Sequence, residues 1–268
     1  MLVAIIFVHQ VIIDHSHHAN AFSTSTAYAH KLKLDNLTTV VNTLIAQYPD
    51  DTVSVSLINL QSNEIDNFGS NSVMLGASTT KIITAADYLH LVELGEASID
   101  QTFNGESATD AIQDMVQETD IDESDDAWNS IISYLSFDQI TAYGQSIGLK
   151  NFDAQPNSLP ASDEAMFLQK LYDGKLLNAN DTNLLYSDMQ HTGDEDLIPA
   201  ALPAGTTVYE KFGYYEGYLH DAAIVKYDNH AFVLVIYTNN SSGTLDDSAS
   251  RELLFHQLTQ NIFDYETG

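Results

Sequence analysis

Residues 75–95 read LGASTTKIITAADYLHLVELG, with Lys81 three positions after Ser78 at the head of an apolar segment that Gly95 closes. Positions i and i+3 share a helix face, so Ser78 Oγ and Lys81 Nζ can meet without long-range assembly. Surroundings such as Ile82, Ile83, Ala85 and Ala86 disfavour a charged amine, and the positive helix N-terminus acts in the same direction. An uncharged amine beside a serine is a workable general base. The plainer reading is a serine N-cap followed by a solvated lysine, a common local pattern. The rest of the chain decides between them.

The chain of 268 residues has 44% apolar content, ample for a globular core. Its 38 acidic residues outweigh 9 basic ones, for a net charge of −29. This acidic protein repels phosphate backbones and anionic lipid, so nucleic acid and charge-driven membrane binding are not expected. No cysteine is present, which excludes disulfides, zinc-thiolate sites and cysteine nucleophiles. The run LVAIIFVHQVII at 2–13 is too short to span a membrane and suits the apolar region of a signal peptide or short anchor. Two small-x-small cleavage sites follow, at 19–21 and 27–29, although no basic residue precedes the run. The expectation is export, with residues 1–30 outside the folded domain and membrane anchoring only through that segment. The His-rich HSHH at 15–18 falls in the same segment, which argues against a metal site there.

From residue 31 onward a single domain is expected. Leu34, Leu37, Val41, Leu44 and Ile45 recur at helical spacing and stop near Pro49. TVSVSLINL and EIDNFG read as a hairpin, and TTVYEKFG, GYLHDAAIVKY and HAFVLVIYT as three further strands. Between about 95 and 200 lie short helical patterns: Ile112, Met115 and Val116; Trp128, Ile131, Ile132 and Leu135; Ala165, Leu168 and Leu171. A helix from Ser248 to about Phe263 closes the chain. This order describes an α+β fold, an antiparallel five-stranded sheet flanked by helices with an inserted all-helical subdomain.

GASTTK, ESDDAWN and VYEKFGYYEGYLHDAAIV follow one another in the order and spacing of the S-x-x-K, S-D-N and K-T-G motifs. From about residue 35 to the C-terminus the sequence resembles the class A β-lactamases and penicillin-binding D,D-peptidases. The resemblance implies that Ser78 is the acylated nucleophile and Lys81 its base. Lys211 would attract a substrate carboxylate, and the backbone N–H groups of Ser78 and Tyr214 would form an oxyanion hole. Gly213 and Tyr214 would continue the substrate-binding strand. It further implies a monomer without metal or organic cofactor, acting on a β-lactam or a peptidoglycan-peptide-like acyl-D-alanine substrate.

Three features depart from the family pattern. The second motif aligns either as Glu123, Ser124 and Asp125 or, with a one-residue deletion, as Ser124, Asp125 and Asp126. In the second register Ser124 is the catalytic hydroxyl and Asp126 a substrate-binding residue. A slip of one residue turns a helical side chain by about 100°, so the registers face different ways. Phe212 replaces the threonine of the third motif. The interval GQSIGLKNFDAQPNSLPASDEAM lacks the water-activating glutamate of class A enzymes, and Glu164 reads as a helix-start residue. His220 and Asp221 are adjacent on a strand, point to opposite faces and are expected to be structural. The sequence therefore reads as an exported serine hydrolase with slow β-lactam hydrolysis. The alternatives are a D,D-carboxypeptidase or esterase, or a catalytically degenerate cell-envelope binding protein.

Overall fold

Strict period-two patterning runs through residues 230–240, where Phe232, Leu234 and Ile236 join one buried cluster and Val233, Val235 and Tyr237 another. A strand buried on both faces belongs in the middle of a covered sheet. The computed structural model describes residues 28–118, 120–240, 242 and 248–268. The apolar run, the His-rich segment and the first cleavage site lie outside the described residues.

Helix α1 (28–45) leads into β1 (Asp51–Asn59), β2 (Ile65–Gly69) and the two-residue β3 (Met74–Leu75). A 3-10 turn (Ala77–Thr80) then runs directly into α2 (Lys81–Leu94). The helical block holds the short pair β4 (Thr102–Phe103) and β5 (Glu106–Ser107), then α3 (Ala108–Gln117), α4 (Ile121–Leu135) and α5 (Phe137–Ser146). After β6 (Ser158–Leu159) come α6 (Ala161–Tyr172) and α7 (Ala179–Asp188). The chain returns through β7 (Thr207–Tyr215), β8 (Tyr218–Tyr227) and β9 (His230–Asn240), and α8 (Ser248–Thr267) closes it. The large sheet has five antiparallel strands, as expected from the sequence, and their order is β2-β1-β9-β8-β7. Among the described residues no helix is long and apolar enough to cross a membrane.

Two apolar layers sandwich this sheet. Leu37 and Val41 of α1 and Leu254, Phe255, Leu258 and Ile262 of α8 cover one face. The other face packs on α2 and the helical block. Helix α2 is buried on all sides from Lys81 to Leu89: Ile82, Ile83, Ala85, Ala86, Tyr88 and Leu89 are apolar, and Lys81, Thr84 and Asp87 form one buried polar stripe. Such a helix sits inside a protein rather than on it. Gly95 ends it in the left-handed conformation (φ 73°), where its N–H reaches the Leu91 and Val92 carbonyls. The first turn of α2 is thereby fixed at the junction of sheet and helical block.

Candidate active site

Edge strand β7 lies against the 3-10 turn that carries Ser78. A Cβ added to Gly213 would sit 2.9 Å from the Thr79 backbone nitrogen and 3.0 Å from the Gly76 carbonyl oxygen. Both obstacles are main chain, so side-chain rotation cannot relieve them. We expect Gly213→Ala to push β7 off the turn, costing about 1–3 kcal/mol. A lowered urea midpoint with weakened reactivity at Ser78 would show it; unchanged values for both would contradict it. Ala77, immediately before Ser78, has φ 50°, a conformation that a residue with a Cβ adopts only under tertiary constraint.

Lys81 begins α2 and is buried, as is Lys211 on β7. The ammonium of Lys81 donates to Ser124 Oγ at 2.9 Å and Asp125 Oδ1 at 2.8 Å, and to Glu118 Oε2 at 3.4 Å. That of Lys211 donates to the same Glu118 oxygen at 2.6 Å. The Ser78 hydroxyl donates to Glu118 Oε1 at 3.2 Å. The expected direct Ser78–Lys81 hydrogen bond is therefore replaced by a carboxylate that holds both groups. Glu118 is buried, and it caps the C-terminus of α3 in the left-handed conformation (φ 52°, ψ 47°). Burial depresses the Lys211 pKa, and the Glu118 carboxylate opposes that shift. The Lys211 ammonium also lies 4.1 Å from the Phe212 ring centroid, so the aromatic replacement in the third motif contributes a cation–π contact.

Around the second motif, the structure brings Ser124 and Asp125 to Lys81. Ser124 is fully buried and donates to the Met115 carbonyl at 3.0 Å, which leaves its oxygen to accept from the lysine. Asp126 does not join them. Its side chain lines a separate groove with Asn104, Glu106, Asp114 and Glu123, about one helical step around α4. The assignment of Asp126 to substrate binding is corrected accordingly: Asp125 occupies the cleft.

A cleft of about 520 Å³ opens over this cluster. Ser78, Lys81, Asp125, Trp128, Asn157, Tyr214, Tyr215 and Glu216 line it. Asn157 (φ 50°) reaches in from the loop before β6 and donates from Nδ2 to the Ala77 carbonyl at 2.8 Å. Among the described residues no group of His, Cys, Asp and Glu could hold a metal ion.

Behind the turn, Glu164 of α6 is fully buried and makes its hydrogen bonds to Thr79 and Tyr237 rather than to the cleft. Thr79 Oγ1 lies 2.8 Å from Glu164 Oε2 and 2.7 Å from the Tyr237 hydroxyl. Burial pushes the Glu164 pKa up to about 7, against those hydrogen bonds and the Lys211 charge. His220 and Asp221 diverge as the alternation of β8 requires. The His220 ring stacks on Tyr237 with centroids 4.0 Å apart, and Nδ1 accepts from the Thr238 N–H at 3.1 Å. Nδ1 also lies 2.8 Å from the Leu219 carbonyl, and Nε2 lies 2.8 Å from the Leu75 carbonyl, a contact that ties β8 to the strand leading to Ser78. Burial lowers the His220 pKa to about 4, so the ring is neutral. On the opposite face, Asp221 accepts from the Ile198 N–H at 2.9 Å, and burial raises its pKa to about 7.

These buried acids fix a sign. Glu164, Asp188 and Asp221 all titrate near 7 in the fold because burial penalises their charged forms. Between their unfolded values near 4 and about pH 7, the folded state binds more protons than the unfolded state. Stability is therefore expected to fall as pH rises through that window, by on the order of 3 kcal/mol for a fully buried group such as Glu164. Melting temperatures at pH 5 and pH 8 check it, and Glu164→Gln should flatten the difference. A Tm that rises from pH 5 to pH 8 would contradict the assignment.

Among solved structures, that of PBP-A superimposes with a TM-score of 0.77 at 21% identity, covering 85% of this chain and 95% of that one. A point variant of PBP-A, seen as its acyl-enzyme complex with penicillin G, gives the same TM-score and identity over 86% and 96%. A β-lactamase from Streptosporangium roseum matches at 16% identity and TM-score 0.75, over 86% of this chain and 98% of its own. Such identities establish the fold alone. No curated protein sequence matches the chain. The profile of the "Beta-lactamase enzyme family", however, matches residues 36–265, nearly the whole described sequence, and the chain belongs to that family.

Proposed function

We propose that the protein is a serine hydrolase acylated at Ser78 by a β-lactam or an acyl-D-alanine-type substrate, with slow turnover. The observation that carries this reading is the Ser78 hydroxyl, set at the head of a buried helix, open to the cleft and donating to a carboxylate bridged to two buried lysines. Ser78 Oγ attacks the carbonyl carbon as its proton passes to the Glu118–Lys81 pair. Collapse of the tetrahedral intermediate breaks the carbonyl C–N or C–O bond, and the leaving group takes up that proton. The backbone N–H groups of Ser78 and Tyr214 are the proposed oxyanion donors; both residues line the cleft. Ser124 and Asp125 hold the Lys81 side chain in place. Penicillin acylation, seen for the PBP-A variant, supplies one probe and a neutral fluorophosphonate a second: labelling at Ser78 is expected, and no labelling by either at saturation would count against the proposal.

A D,D-carboxypeptidase or esterase uses the same acylation step with another leaving group. A second reading, a binding protein that has lost catalysis, draws on the ion pairs that hold the Lys81 ammonium between Glu118 and Asp125. That lysine is then engaged by two carboxylates rather than by Ser78. Export is part of the proposal and rests on the apolar run at 2–13 with its small-x-small sites.

A further inference from the structure

We infer that Glu118 is a specificity-determining residue, an internal carboxylate that closes the Lys211 subsite to anions and turns the cleft toward acyl donors that are uncharged or cationic beside the scissile carbonyl. The inference rests on the proposed Ser78 acylation chemistry and shifts its substrate class from free carboxylates to donors whose carboxylate is masked or absent.

By the motif resemblance Lys211 would be the cation that receives a substrate carboxylate, yet it is fully buried beneath the cleft and its ammonium is already held at 2.6 Å by Glu118 Oε2. The other buried cation, Lys81, is held by Asp125 at 2.8 Å and by the same Glu118 oxygen. No arginine lines the cleft, and Glu216 adds a further carboxylate to the wall. An incoming carboxylate would therefore have to displace Glu118 from Lys211 or sit beside it. Displacement strands a buried carboxylate, and co-occupation places two like charges on one ammonium. A net charge of −29 adds long-range repulsion of anions. The remaining walls suit a different ligand. Trp128, Tyr214 and Tyr215 present aromatic surface, with Tyr215 52% exposed, which accepts apolar acyl groups and the face of a cation.

The left-handed backbone at Glu118 explains how a residue just beyond α3 enters the site. That conformation turns the chain sharply at the helix end, and the side chain is buried between the two lysines instead of continuing the acidic exposed surface of α4.

Benzylpenicillin and its methyl ester differ only at the carboxylate and make the test. Acylation of Ser78 is followed by intact-mass kinetics with each compound, in the native protein and in Glu118→Gln. The native protein is expected to react faster with the ester. The acid-to-ester ratio should rise about tenfold or more in Glu118→Gln, the value of one charge-assisted hydrogen bond gained by the substrate. A ratio cancels any loss of proton-acceptor strength common to both compounds. Glu118→Asn, whose side chain tolerates the left-handed backbone, serves as the second variant, and thermal melting verifies that both fold. In a Ser78→Ala background, calorimetric binding of the two compounds should show the same reversal without chemistry. A native preference for the acid, or an unchanged ratio in the Glu118 variants, would overturn the inference. Failure of a neutral fluorophosphonate to label Ser78 would instead overturn the hydrolase reading alone, and the binding ratio would still decide the role of Glu118.

Discussion

Ser78→Ala is expected to abolish covalent labelling by fluorescent penicillin and by a fluorophosphonate, lowering the acylation rate about a thousandfold or more. The size follows from the geometry. Ser78 lines the cleft from the 3-10 turn just before α2, and its hydroxyl proton is already directed at Glu118 Oε1. Thr79 and Thr80, its neighbours, are committed elsewhere: Thr79 to Gly76, Glu164 and Tyr237, and Thr80 to Asn157. Neither can replace the missing nucleophile without dismantling the turn. The substitution removes one partly buried hydrogen bond of 3.2 Å, so the stability change should stay near 1 kcal/mol. Unchanged circular dichroism together with lost labelling identifies a nucleophile. Labelling that survives would place the reactive group elsewhere, and peptide mapping of the adduct would locate it.

The large elements were legible because their burial follows strict periods. β9 reads as a strand from its short, continuous run of β-branched, aromatic and aliphatic residues at Phe232 through Tyr237, and α2 as a helix from its apolar run and glycine stop. α7 was not legible, because what it buries is Thr182, Leu185 and Asp188, two of them polar. α5 carries only Phe137, Ile140 and Tyr143 as a weak stripe, interrupted by Thr141 and Gly144, and its start depends on a Ser136 cap at φ 75°. At the site, Ser78, Lys81 and Lys211 were read from motif spacing, and the choice between Asp125 and Asp126 was left to the rotation of α4. Glu118 was missed for a physical reason. It stands at the edge of the acidic run 118–126, which reads as a solvated face, and no local signal marks a glutamate that takes the left-handed conformation. Two buried lysines needing a counter-charge are the only indication, and sequence spacing does not show that the lysines share one carboxylate.

The acyl-enzyme, once formed, is expected to persist. Deacylation requires a water positioned against the ester and a base free to take its proton, in addition to the groups that formed the ester. Two glutamates that the sequence offers for this role, Glu164 and Glu123, cannot supply that base. Glu164 is sealed behind the turn by Thr79 and Tyr237, with no contact to the cleft. Glu123 lies on the other side of α4, in the groove lined by Asn104 and Asp126. Of the carboxylates that do reach the cluster, Asp125 is paired with Lys81 and Glu118 with both lysines, so each already neutralises a cation. Glu216 also lines the cleft, but it is exposed on the turn after β7, whereas the Ser78 hydroxyl is directed at Glu118. The loop before β6 brings an amide, Asn157, to the cleft where it brings no carboxylate, and that amide donates to the Ala77 carbonyl. Acylation and deacylation should therefore be uncoupled. After treatment with benzylpenicillin or its methyl ester, intact-protein mass spectrometry should show one ligand mass on Ser78 that decays over minutes to hours, with steady-state hydrolysis no faster than that decay. Rapid hydrolysis without a detectable adduct would mean that Glu216, or one of the paired carboxylates released from its lysine, activates water during turnover. Glu216→Gln, Asp125→Asn and Glu118→Gln would then identify it, since the responsible variant alone would accumulate the adduct.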